Sequence, residues 1–218
     1  MERSSLAIII PAFNEAATIA GVLSKVSPYG NPIVVDDGSG DETGELAGRC
    51  GAHVVRHSGN RGYDEALNSG FAKAAALGFR HVITMDADGQ HGVDQLGLMI
   101  QQLETGFKLV LGVRNNLPRI GEAIFASCAA RAWRINDPLC GMKAYAMDLY
   151  EKAGCFDSCK SIGCELAVRS VSQGCRFAQV PIMTHKRLDA PRFGRSFKAN
   201  CKILRAMAVM LYRYAPSN

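Results

Sequence analysis

The residues best placed to do chemistry are Asp86-Ala87-Asp88, two carboxylates one residue apart directly after the apolar run His81–Met85. Carboxylates at the end of a buried strand can turn toward one hard cation, and Mg²⁺ or Mn²⁺ takes oxygen ligands of this kind together with substrate phosphates. Gln90 adds a neutral oxygen within reach. The same pair also suits a turn in which Asp88 caps the following helix. A second acidic turn, Asp36-Asp37-Gly38-Ser39, follows Ile33-Val34-Val35. Acids at strand ends accept hydrogen bonds from a base edge or a ribose hydroxyl in nucleotide folds, although an ordinary Asx turn reads the same way. Pro11-Ala12-Phe13-Asn14-Glu15 closes a third strand, and Gly59-Asn60-Arg61-Gly62 and Asn68-Ser69-Gly70 flank a helix start.

These clusters imply elements that present them. The apolar run Leu6–Ile10 is predicted as a strand, followed by an amphipathic helix over about Ala16–Val26. Asp41–Cys50, Tyr63–Leu77 and Val93–Glu104 are predicted as helices, with strands at His53–Arg56, His81–Met85 and Lys108–Val113. Alternating helices and continuously apolar strands indicate a mostly parallel sheet covered on both faces, where ligands bind at the C-terminal strand ends. Beyond Arg114 the pattern loosens: helices are predicted over Arg119–Trp133 and Ser161–Gln173, a strand over Phe177–Ile182 and a closing helix over Phe197–Tyr214. No linker composition interrupts the chain, so residues 1–218 are expected to form a single domain. Its first half, about residues 1–110, carries the acidic strand-end turns, and its second half, about residues 111–218, the looser pattern.

Composition agrees with a globular protein: 218 residues, 48% hydrophobic and 21% charged. No apolar run approaches the ~20 residues that span a bilayer, and the N-terminus has no signal-peptide pattern. A cytoplasmic location is therefore expected. The eight cysteines contain no C-x-x-C pair, which favours free thiols over disulfides or zinc. The net charge of +5 conceals an acidic half, with 8 Lys/Arg against 13 Asp/Glu in residues 1–110, and a basic half, with 17 against 7 in residues 111–218. Such a balance suits a metal held on one side of a site and phosphates on the other; a solvated basic face is the plainer reading.

The motifs Pro11–Glu15, Val35–Ser39, Asn60-Arg61-Gly62, Ala66–Gly70 and Asp86–His91, in this order, resemble those of family 2 glycosyltransferases with the GT-A fold. No G-x-G-x-x-G follows the first strand, which weighs against a dinucleotide-binding protein. The second half is most similar to the polyprenyl-phosphate branch, which includes dolichyl-phosphate mannose synthases, through Asp137–Lys143, Glu165-Leu166 and Val180-Pro181-Ile182. The resemblance implies a Rossmann-like α/β fold and an inverting, metal-dependent hexosyltransferase. The donor would be a UDP- or GDP-sugar and the acceptor a polyprenyl phosphate or another membrane-associated acceptor, lipid phosphate or glycan. It places Pro11, Asn14, Glu15, Asp36, Asp37, Asn60, Asn68, Asp86 and Ala87 at the nucleotide, and Asp86, Asp88 and Gln90 at Mg²⁺ or Mn²⁺. Arg114, Arg131, Asp137 and Ser196 would meet the acceptor, with Arg119 and Arg134 as alternatives to Arg131. Asp88, Arg192 and Lys198 would act on the leaving diphosphate, and Glu165 is the candidate base if the acceptor is a hydroxyl. A phosphate acceptor is already an anion and needs no base. The closing helix, with Lys198, Lys202, Arg205 and Arg213 among apolar residues, suits a peripheral place on the inner face of a membrane or packing against the sheet. No nucleic-acid partner is indicated. The alternative function is a nucleotide-binding scaffold that has lost transfer activity.

Overall fold

The structure is a computed structural model that describes residues 3–87, 94–183 and 197–215. Its strands are β1 (Leu6–Ala12), β2 (Asn31–Asp36), β3 (His53–Arg56), β4 (His81–Thr84), β5 (Leu109–Arg114), β6 (Lys143–Ala146) and β7 (Phe177–Ile182). The helices are α1 (Ile19–Val26), α2 (Thr43–Arg49), α3 (Tyr63–Ala76), α4 (Asp94–Glu104), α5 (Ile120–Trp133), α6 (Met147–Ala153), α7 (Glu165–Ser172) and α8 (Phe197–Tyr214).

All seven strands join one sheet in the order β3-β2-β1-β4-β6-β5-β7. The pairs β2–β3, β1–β2, β1–β4 and β5–β7 are parallel, whereas β6 runs antiparallel to both β4 and β5. The α/β architecture expected from the sequence is thus present, with β6 and α6 as elements the periodicity did not announce. Lys-Ala-Tyr-Ala carries little strand signal of its own, and it becomes a strand because β4 and β5 offer it two ladders.

The continuous hydrophobicity of β1 follows from burial on both sheet faces. Successive side chains point to opposite faces, so Ala7 and Ile9 pack with Phe71, Phe125 and Ile203 while Leu6, Ile8 and Ile10 pack with Leu23, Met99 and Leu96. Each fully buried Leu or Ile contributes about 1.5–3 kcal/mol relative to exposure. Phe71 of α3 stacks on Phe156 at 4.7 Å and meets Tyr145 of β6 edge-on at 5.5 Å. That cluster draws the chain after α6 against α3.

Candidate active site

Because β2, β1 and β4 are adjacent and parallel, their C-terminal ends lie along one edge, spaced by about 4.8 Å per strand. The three acidic turns that follow them are therefore neighbours. The turn after β1 is fastened to the turn after β2. Asn14, with a left-handed φ of 52°, donates its N–H to Ser39 Oγ at 2.9 Å and accepts Gly40 N–H through Oδ1 at 2.8 Å. The N–H of Glu15 donates to Thr43 Oγ1 at 2.8 Å, and its buried carboxylate accepts Thr18 Oγ1 at 2.7 Å.

Asp36 and Asp37 divide the work of holding the second turn. Asp36 Oδ1 accepts Ser39 N–H at 2.9 Å, and its Oδ2 faces Arg56 Nε at 3.3 Å without hydrogen-bond alignment. Asp37 is 5% exposed; it accepts Arg61 N–H and Gly62 N–H, each at 2.8 Å, and lies 2.7 Å from His57 Nδ1. His57 Nε2 continues to Ser69 Oγ at 2.9 Å. Gly38, at φ 76°, allows the two loops to touch: a Cβ there would lie 2.5 Å from the Gly59 carbonyl carbon. Asn60 sits exposed at the tip of that loop.

At the end of β4, Asp86 is backed by Gly141. A Cβ at 141 would stand 2.4 Å from Asp86 Oδ2, so only glycine leaves the carboxylate its place. The Tyr63 hydroxyl donates to Asp86 Oδ1 at 3.3 Å. Burial, and after it the neighbouring Asp86 charge, raise the Tyr63 pKa well above its ordinary value, so the phenol keeps the proton it donates. Ala87 is buried in the hydrophobic core. Asp88, Gln90, His91, Arg192 and Ser196 lie outside the described residues.

The second-half residues fall into three groups. Arg114 at the end of β5 grips Asp137 with Nε at 2.7 Å and Nη2 at 2.9 Å, and its N–H reaches the same carboxylate at 3.1 Å. Burial opposes the guanidinium charge, but the Asp137 hydrogen bonds and carboxylate outweigh it and raise the Arg114 pKa. Glu122, 3.2 Å from Arg114, also pairs with Arg119. The structure therefore brings Arg119 to Arg114. Arg131 is exposed three turns along α5, roughly 18 Å away by helix rise, because residues 119 and 131 occupy opposite ends of one helix.

Glu165 forms the second group. Ser158 N–H donates to its carboxylate, as do Ser158 Oγ at 2.8 Å, Tyr214 OH at 2.7 Å and Arg213 Nη1 at 3.1 Å. Burial works against ionisation, but the Ser158, Tyr214 and Cys159 donors prevail and lower its pKa. Its oxygens tie α7 to α8 and to the 158 loop. Asn68 acts likewise, with Nδ2 on Asp157 O at 2.8 Å and Oδ1 accepting Phe156 and Asp157 N–H at 3.0 Å, so its amide is spent on that loop rather than on the strand-end turns. The third is Lys198, exposed on the first turn of α8. All eight cysteines are free thiols.

Four side chains were not singled out from the sequence as site residues: Tyr63, His57, Lys143 and Arg61. His57 carried a usable signal, since it follows β3 directly as the acids follow β2 and β4. Lys143, which ends the Asp137–Lys143 motif, is buried inside β6, where burial lowers its pKa, and its Nζ donates to Gly163 O at 2.9 Å.

Comparison with known proteins fits this arrangement. The sequence model of "Glycosyl transferase family 2" matches residues 7–119. The chain belongs to glycosyl transferase family 2. It is 30% identical to an uncharacterized protein of Methanocaldococcus jannaschii over 84% of this chain and 83% of that one. It is 29% identical to the polyprenol monophosphomannose synthase of Mycolicibacterium smegmatis over 87% of this chain and 81% of that one. The fold matches glucosyl-3-phosphoglycerate synthase from Mycobacterium tuberculosis, crystallised with Mn²⁺ and uridine-diphosphate-glucose, with a TM-score of 0.76 at 22% identity over 99% of this chain and 80% of that one. That likeness establishes the shared GT-A architecture. Among the described residues, no helix is long and apolar enough to cross a membrane.

Proposed function

We propose that this family 2 glycosyltransferase moves a sugar, with inversion, from a nucleoside diphosphate sugar to an anionic acceptor of the polyprenyl phosphate type. The observation that carries the reading is the carboxylate edge: Asp86 seated against Gly141, beside the turns held by Asp36, Asp37 and Glu15 on neighbouring strands. Gly141 leaves room for the Asp86 carboxylate, and an all-oxygen set of Asp86, Asp88 and Gln90 suits Mg²⁺ or Mn²⁺. Such an ion supplies positive charge against the leaving diphosphate. The turns of residues 11–15 and 36–39 would hold the nucleoside, and Lys198 and Arg192 would face the diphosphate.

The state of Glu165 favours a phosphate acceptor over a hydroxyl. Glu165, the sequence's candidate base, has its carboxylate occupied by Ser158, Tyr214 and Arg213. A phosphate nucleophile needs no base. A lipid-borne acceptor also fits the surface. The N–H of Gly121 donates to Asn200 Oδ1 at 2.9 Å, which sets the starts of α5 and α8 side by side. There Ile120 is 76% exposed and Phe197 84% exposed, beside the cation Lys198. Apolar side chains flanked by lysine suit peripheral contact with an anionic bilayer.

The test is thermal denaturation with UDP or GDP, each with and without Mn²⁺, and with CMP, ATP and NAD for comparison. A ligand at 100 times its dissociation constant stabilises by about 2.7 kcal/mol, several degrees for a chain of this length. A shift with UDP or GDP that requires Mn²⁺ is expected. No shift with any nucleoside diphosphate refutes the donor site.

A further inference from the structure

A cavity of about 530 Å³ opens between the start of α3, the loop ahead of α7 and the middle of α8. Four cations line it from three separate segments: Arg61, Lys160, Lys202 and Arg205. Its two acids are Asp64 and Glu65, and Asp64 is committed to the loop, accepting Gly163 N–H at 2.6 Å and Ile162 N–H at 3.3 Å.

The wall of the cavity is held in a constrained shape. Lys160 and Ile162 both adopt left-handed backbone, at φ 57° and 59°, uncommon for any non-glycine residue and taken by a β-branched one such as Ile162 only under constraint. The constraints are visible. Asp157 accepts the N–H of Cys159, Lys160 and Ser161, Lys143 Nζ donates to Gly163 O, and Arg205 Nη1 donates to the carbonyls of Cys159 and Lys160. Tyr63 lines the cavity while its hydroxyl touches Asp86, so the cavity and the carboxylate edge share a side chain.

The buried arginine cluster differs in kind. Arg114 and Arg119 are already matched by Asp137 and Glu122, one carboxylate for each guanidinium. The cavity is lined by four cationic residues and two acids, and a lining with more cations than acids suits a dianion with three oxygens.

We propose that this cavity binds a phosphate monoester, the anionic group of the acceptor, through Arg61, Lys160, Lys202 and Arg205. Its assignment to the acceptor rests on the transfer reading above; the binding itself does not. The phosphate can belong to a lipid or to a water-soluble ester, and the experiment separates these.

Calorimetric titration of the full chain, without donor or metal, is run with glycerol 3-phosphate and, separately, with a polyprenyl phosphate in detergent micelles against detergent alone. At least one is expected to bind, with Arg61→Ala and Lys202→Ala each weakening it by about tenfold or more, as expected for losing a charge-assisted contact. Binding of the lipid alone names a lipid source, and binding of the soluble ester alone names a soluble one. If neither binds, or if binding is indifferent to both substitutions, the proposal is overturned. Should the variants fail to fold, lysine acetylation of the unaltered protein read by mass spectrometry replaces them. Phosphate ester should protect Lys160 and Lys202, and equal labelling with and without it overturns the proposal. The Mn²⁺-dependent UDP or GDP shift, measured on the same variants, reports separately on the donor site.

Discussion

The Arg114–Asp137 pair offers the sharpest quantitative test of how the second half is built. Asp137→Ala removes two side-chain hydrogen bonds of 2.7 and 2.9 Å and the acceptor of the Arg114 N–H. The Asp137 side chain is 2% exposed and that of Arg114 16%, so water cannot replace what is lost. Two guanidinium groups, Arg114 and Arg119, would then share the single carboxylate of Glu122. Breaking a buried pair by removing one partner costs about 3–5 kcal/mol, because an uncompensated charge stays inside. For a chain of this size that corresponds to a fall in Tm of roughly 6–20 °C. Urea denaturation should show a lower midpoint with an unchanged slope. Adding Arg114→Ala to Asp137→Ala should restore part of the loss, since the orphaned charge goes with it. A single-variant loss below about 1 kcal/mol, typical of exposed pairs, or strict additivity in the double variant, would refute the reasoning. Arg114 would then be available to a ligand rather than spent on the scaffold.

Two further outcomes follow from the site. Burial and the nearby Asp157 push the Asp64 carboxyl up to about 6 from 3.8. An acid whose folded pKa is raised favours the folded state fully below its unfolded pKa and loses that advantage as pH rises through the folded one. Between pH 4 and pH 7 the stability of the unaltered protein relative to Asp64→Asn should therefore fall by about 2 kcal/mol; parallel urea midpoints at the two pH values would contradict the assignment. Gly141→Ala would drive a methyl group to within 2.4 Å of Asp86 Oδ2. It should cost about 1–3 kcal/mol of stability and weaken the Mn²⁺ dependence of the UDP or GDP shift, whereas an unaltered Mn²⁺ titration would remove Asp86 from the metal site.

The first half was the more legible part. Strands β1, β2 and β4 are buried on both faces, so consecutive apolar residues fill their centres, and the polar turns that end them stand out. Strand β3 and helices α3 and α8 fall where periodicity places them. The edge on which Asp36, Asp37 and Asp86 gather could be inferred because parallel strands put all their C-terminal ends on one side. Shorter elements were less legible. Helix α1 begins at Ile19 rather than Ala16, since residues 14–16 are held instead by Ser39, Thr43 and Asp41. Helix α7 begins at Glu165 rather than Ser161, because Asp157, Asp64 and Lys143 hold the preceding loop in left-handed backbone.

By itself, then, the sequence determined the α/β class, the family and the acidic strand ends, all of which rest on local period and on residues adjacent in the chain. Only the tertiary structure decided that β6 enters antiparallel between β4 and β5, that Arg119 joins Arg114, and that Glu165 and Asn68 are spent on neighbouring loops. It alone gathered Arg61, Lys160, Lys202 and Arg205 around one cavity. Each of these depends on contacts between residues far apart in the chain, whose partners no local pattern encodes.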